Sequence, residues 1–212
     1  CLWNSPLVGL KPLAEWSQPQ SRNQQKGQIG RSLLEHVLQA AGLAPSLPIV
    51  QQTTFSMVVN QCLRLEIKTR TTVLVQENAA SYCLSKSAGL VDGKLTTSQY
   101  SAKDFDGLAA VLTEEDRLLG LFVLPVAQLT KMGKVGDVSV PSGTLSLYPR
   151  WSVPKSPRAH EAKAWQEQYF VDFSLGPLGQ GDLQRLRSLV LACKRDWQEP
   201  TRVTMDMLHE FS

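Results

Sequence analysis

The chain has 212 residues, 42% of them hydrophobic and 19% charged, with a formal net charge of +3. This is the composition of an ordinary globular protein, long enough for one sizeable core with an appended subdomain. The charge is compatible with a nucleic-acid partner without implying one, and no apolar run approaches the roughly 20 residues of a membrane span, so no membrane partner is expected.

In chain order, residues 1 to 27 hold Trp3, Trp16, three prolines and the polar run Ser17 to Lys26. They read as an extended arm, docking on a protein partner through its tryptophans, followed by a linker. The chain begins at Cys1 and has no basic-then-apolar leader, so it reads as a mature fragment or an excised domain. Gly27 to Gly42 is a helix: Leu33, Leu34, Val37, Leu38 and Ala41 recur at helical spacing, and Gly42 is its stop. Ile49 to Gln52 reads as a short strand and Phe55 to Val59 as a second. Asn60-Gln61 is a tight hairpin turn into Leu63 to Gln76, a long strand that is central or bending. Residues 77 to 103 are polar and give no assignable period.

Phe105 to Leu112 is a strand. The acidic turn Thr113 to Asp116 leads into Leu118 to Leu124, apolar enough to be buried on both faces. Pro125 opens a short helix. Leu145 to Tyr148 is a strand, Ala159 to Gln168 a helix and Tyr169 to Phe173 a last strand. Asp182 to Trp197 is an amphipathic helix with Leu183, Leu186, Leu189, Val190 and Cys193 on one face. The order gives an α+β fold, a mixed β-sheet flanked by helices. Residues 1–27 are the arm and linker, 28–174 the core domain and 175–212 a C-terminal helical extension.

The four cysteines (Cys1, Cys62, Cys83, Cys193) and the three histidines (His36, His160, His209) are scattered. No spacing suits a zinc site or a disulfide scaffold, and reduced thiols in an intracellular compartment are expected.

Chemistry concentrates in Leu63-Arg64-Leu65-Glu66-Ile67-Lys68-Thr69. On a strand, Glu66 and Lys68 point to one side, and Leu63, Leu65 and Ile67 to the other. Two readings of the charged side are open. A carboxylate beside an ammonium is what metal-assisted phosphodiester cleavage needs, the first to hold a divalent cation and the second to steady water or phosphoryl charge. Arg64, Glu66, Lys68 and Arg70 in a row are equally the solvated side of an antiparallel strand.

Three segments resemble the PD-(D/E)XK nuclease superfamily, whose fold is the restriction-endonuclease-like core. They are the helix from Lys26 to Gly42, the hairpin Phe55 to Asn60 with Leu65 to Thr69, and Phe105 to Leu112 followed by Leu118 to Pro125. More narrowly, Leu147 to Trp151 and Ala164 to Asp172 resemble nuclease-like domains of crinkler-type effectors and mobile elements. The resemblance implies a nuclease-fold domain that engages nucleic acid, DNA ahead of RNA, and an endonuclease using Mg2+ or Mn2+. Glu66 and Lys68 would be its catalytic pair. Two positions depart from the pattern: Arg31 stands where the first helix carries an acid, and Ser56 where the hairpin carries the principal metal-binding aspartate. Glu35, four residues after Arg31, and Asp106 are the candidate replacements, so the candidate metal ligands are Glu66, Glu35 and Asp106. Gln76 and Tyr82 match auxiliary positions, and each also reads as ordinary packing. With two family carboxylates missing, the alternative functions are an inactive structural or binding module in a larger assembly, or a mobile-element nuclease domain.

Two further groups stay open between function and structure. Arg150, Trp151, Lys155, Arg158 and Lys163 mix phosphate-binding charge with an indole. Arg185, Arg187, Lys194 and Arg195 form either a basic face or the solvated side of the last helix.

Overall fold

The computed structural model describes residues 21–48, 54–71, 79–91, 94–136, 144–176 and 178–194. In chain order the elements are α1 (Arg22–Ala40), β1 (Pro45–Ser46), β2 (Met57–Val59), β3 (Leu63–Thr71), β4 (Ala80–Cys83), β5 (Ser85–Val91) and β6 (Lys94–Gln99). Then follow β7 (Gly107–Glu114), β8 (Arg117–Pro125), α2 (Val126–Lys131), β9 (Thr144–Leu147), α3 (Pro157–Gln166), β10 (Phe170–Asp172) and α4 (Gln180–Ala192). The architecture is α+β, a mixed sheet flanked by helices. Six strands pair in the order β1-β2-β3-β7-β8-β10, with β3 and β7 parallel and every other neighbour antiparallel. Two small sheets, β4-β9 and β5-β6, stand beside it.

Local chemistry explains the starting elements. Asn60 and Gln61 both take positive φ, 50° and 62°, as the turn between β2 and β3 requires. Gly42, at φ 71°, ends the first helix in the left-handed region, and the amide of Leu43 turns back to the Leu38 carbonyl at 3.0 Å. The helix starts at Arg22, before the expected Gly27. Ser21 and Gln24 form a capping box there, so the polar run read as linker carries the helix's first turn.

The sheet buries both faces. Leu63 and Leu65 lie with Ala109, Val111, Leu121 and Val123 under α1 and α4, whose Leu34, Leu38, Leu186 and Val190 complete that core. Leu108, Ala110, Leu112, Phe122 and Leu124 face the other way, against Tyr82 and Leu84, Leu145 and Leu147 of β9, and Leu129 of α2. This double burial is what the apolar runs of β7 and β8 anticipate. The C-terminal helix α4 is thus part of the main core.

The hairpin, the first helix, the two apolar strands and the later elements lie where the sequence places them, with ends shifted by a few residues. The unassigned region holds three strands: β4 pairs with β9 from far along the chain, and β5 pairs with β6 around a register shift between Ser87 and Gly89. Residues 1–20, the expected strand 49–52, Gln76 and Arg195 onward lie outside the described residues.

Gly30 sits where α1 crosses β3. A Cβ there would stand 2.0 Å from Thr69 Oγ1 and 2.8 Å from Thr69 Cβ, whereas one at Gly27 would meet nothing within 4 Å. Alanine gains up to about 1 kcal/mol of helix propensity at either site, and overpacking costs about 1–3 kcal/mol at the first alone. Urea unfolding should therefore show Gly30→Ala destabilised and Gly27→Ala unchanged or stabilised.

Candidate functional site

Strand β3 lies in the middle of the sheet, so the side opposite its leucines is covered, not solvated. Glu66 is 7% exposed. The amide of Ser56, just before β2, bonds the Leu65 carbonyl at 2.9 Å, which turns the serine hydroxyl toward Glu66. That hydroxyl donates to Glu66 Oε2 at 2.7 Å and accepts from the Ile67 amide at 3.3 Å. The other oxygen, Oε1, accepts from the Tyr100 hydroxyl at 2.7 Å and pairs with Lys68 Nζ at 3.0 Å.

The Lys68 ammonium is equally engaged. Besides Glu66 it donates to Tyr100 Oη at 3.1 Å and to the Ser85 carbonyl at 3.4 Å. A second ion pair lies alongside: Lys86 Nζ meets Asp104 Oδ2 at 2.5 Å, and that oxygen also accepts from the Ser101 amide at 2.7 Å. Lys68 stands 5.1 Å and Lys86 6.0 Å from the centre of the Tyr100 ring. Burial, and after it the charges of Glu66 and Asp104, push the Tyr100 phenol well above its ordinary value. It stays protonated and remains a donor.

These contacts define what the cluster can do. Two carboxylates and two ammonium groups leave no surplus negative charge, and Glu66 accepts at least one hydrogen bond on each oxygen. Magnesium is normally held by hard anionic oxygens. The other acids do not supply one. Asp106 is bound by Arg64 through Nη2 to Oδ1 at 3.0 Å and Nε to Oδ2 at 3.2 Å, with the Arg64 amide at 2.8 Å. Glu35 belongs to α1, which covers the opposite face of the sheet, and nothing described joins it to Glu66. No group of three His, Cys, Asp or Glu suited to a metal ion occurs among the described residues. The residues do not fit a Mg2+ or Mn2+ site of the kind the resemblance implies.

The structure thus brings Glu66, Lys68 and Ser56 together and leaves Glu35 and Asp106 outside. Sequence reasoning missed Tyr100, Ser85, Lys86 and Asp104. The polar stretch that holds them has no period to place them, and only the fold brings them to β3. Tyr82, the tyrosine picked out as an auxiliary, is buried and donates to the Val111 carbonyl at 3.2 Å. Trp151 packs edge-on to Phe170, 5.7 Å between ring centres, as a core aromatic. Lys163 donates to the carbonyls of Arg150 and Ser152 at 2.7 and 2.6 Å. On α4, Arg187 holds the Gly42 carbonyl at 2.9 Å and Arg185 that of Glu167 at 2.9 Å.

The MepB-like family matches residues 91–172, less than half of the chain. That segment contains Tyr100 and Asp104 but not Glu66 or Lys68. Among solved structures, a bacterial homing endonuclease, I-Ssp6803I, is similar at 16% identity and a TM-score of 0.45, over 68% of this chain and 91% of that one. The crystal structure of MepB is similar at 16% identity and a TM-score of 0.45, over 67% of this chain and 95% of that one. No curated protein matches the sequence. No helix among the described residues is long and apolar enough to cross a membrane.

Removing the ammonium from this cluster leaves a buried carboxylate short of its counter-charge. Lys68→Met should destabilise by about 3 kcal/mol, near the low end for a broken buried pair because the lysine keeps some water. Adding Glu66→Gln should recover part of the loss, read in a double-mutant cycle of urea midpoints.

Burial also pushes the Cys193 thiol up, to about 12. An acid whose folded value is raised contributes stability that is complete below its unfolded value, about 8.5 for a thiol, and is lost as pH rises toward the folded value. The urea midpoint should hold as pH rises to about 8 and fall above it, with the early part of the fall reduced in Cys193→Ala.

Proposed function

We propose that this protein is a nucleic-acid-engaging domain on a nuclease-type scaffold, in which metal-dependent phosphodiester cleavage is weak or lost. One observation carries the reading: both oxygens of Glu66 are held inside the protein, by Ser56, Tyr100 and Lys68. Glu66 and Lys68 keep the strand positions that the nuclease resemblance assigns to a catalytic pair, which supports descent from that scaffold. Ser56, in the aspartate's place, acts as a donor to Glu66. A cation entering would compete with the tyrosine, the serine and the lysine for that carboxylate, with Lys68 opposing it by charge.

Nucleic acid is the partner, DNA ahead of RNA, and binding would weaken with salt as phosphate contacts release counterions. A protein partner on the arm at residues 1–27 is compatible with this role.

A plasmid-nicking assay with Mg2+ or Mn2+, paired with fluorescence anisotropy on labelled DNA and RNA, tests the reading. Expected are salt-sensitive binding, little or no nicking by the wild type, and stronger metal binding in Ser56→Asp, which restores a second carboxylate beside Glu66. Robust wild-type nicking abolished by Lys68→Ala would establish an active nuclease instead. No nicking and no affinity for DNA or RNA would leave a structural module as the function.

A further inference from the structure

A groove of about 580 Å3 lies between the end of α2, β9 and α3, at the size of pockets that hold a nucleotide or a comparable small molecule. Its lining mixes aromatic, hydroxyl and cationic groups: Trp165 and Tyr148, Ser146 and Ser156, Lys134 and Arg158. Glu161 is the one acid on its wall, so cations are in excess. The wall is built rigidly. Gln166, 1% exposed, spends its amide on it, accepting from the Tyr148 amide at 2.8 Å and donating to the Ser146 carbonyl at 3.0 Å.

The groups left over suit a ligand. Trp165 is half-buried, with its ring edge-on to Tyr169 at 6.1 Å between centres, and the same indole lines the groove. Arg158 is exposed and has no side-chain hydrogen bond or ion pair within the described residues. Lys134 donates to the Thr144 carbonyl at 3.0 Å, which fixes its ammonium at the wall. A planar indole and two cations lining one groove match a stacked base with its phosphate. The groove also adjoins the Glu66 cluster. Gln99 Nε2 donates to the Lys134 carbonyl at 3.3 Å, and the Gly136 amide donates to the Tyr100 carbonyl at 3.2 Å.

We propose that this groove binds one nucleotide of a single-stranded nucleic acid, its base against Trp165 and its phosphate between Lys134 and Arg158. The proposal rests on the nucleic-acid reading above and adds to it the strand state and the place of contact.

The test uses the full chain with a fluorescein-labelled twelve-nucleotide oligo(dT) and a duplex of the same length. A second oligo(dT) carrying 5-iodouracil is photo-crosslinked and the adduct mapped by mass spectrometry. Trp165→Leu should weaken single-strand binding at least about fivefold, Trp165→Phe should keep most of it, and duplex binding should change little. Arg158→Ala should lower the salt slope by about 0.7, the share of one phosphate contact on a single strand. The crosslink should fall on Trp165 or Tyr148. Unchanged single-strand binding in both Trp165→Leu and Arg158→Ala, with crosslinks elsewhere, would overturn the groove and leave the nucleic-acid reading standing. A wild type that binds neither strand form would overturn both. If Trp165→Leu does not fold, the exposed Arg158→Ala and the crosslink position decide.

Discussion

Burying the Glu66 carboxylate in the middle of the sheet is the constraint from which the rest of this face follows. A charge taken out of water needs both an opposite charge and enough donors, and each donor must come from an element held in place. Lys68 supplies the charge from the same strand. Tyr100 and Ser56 supply hydroxyls from the chain ends beside β6 and β2. Tyr100 must itself be fixed, and its ring packs edge-on against Phe105 at 5.2 Å. The Lys86–Asp104 pair then neutralises the second carboxylate pressed near that phenol. Leu84 and Tyr100, at the margins of β5 and β6, are buried in the core on this face.

Ser56 shows how one residue can change the use of such a cluster. A carboxylate in its place would stand beside Glu66, and two like charges at that distance demand a proton or a cation between them. The hydroxyl removes the demand. It donates to Glu66 and takes the Ile67 amide on its oxygen, a hydrogen bond at the position where the resemblance implies a metal ligand. Arg31, where the resemblance implies an acid, is on α1, over the opposite face of the sheet, and makes no part of this balance.

What the sequence made legible follows from how local each signal is. The helix from α1, the Asn60-Gln61 hairpin and the twin runs of β7 and β8 are written in period and turn chemistry within a few residues. The pairing of Ala80 with Leu147 spans a separation no local pattern encodes, and the β5-β6 sequence shows no regular alternation, so neither was assigned. Glu66 and Lys68 are legible because a strand's alternation fixes their side, and Ser56 because the resemblance marks its position. Tyr100 was hidden because its role comes from a contact 34 residues back. Asp106 drew attention as a carboxylate beside a core strand, yet Arg64 on β3 holds it by side chain and amide together. From sequence alone, an acid that binds metal and one that binds arginine look the same.

The two faces of the sheet therefore do different work. The α1–α4 face is closed by aliphatic side chains. The other face is assembled from short elements tied by polar contacts, and it holds both the Glu66 cluster and the groove at Trp165. The two sites adjoin through Tyr100 and Gln99: Tyr100 offers its hydroxyl to Glu66 and its carbonyl to Gly136, and Gln99 Nε2 donates to the carbonyl of Lys134 on the groove wall.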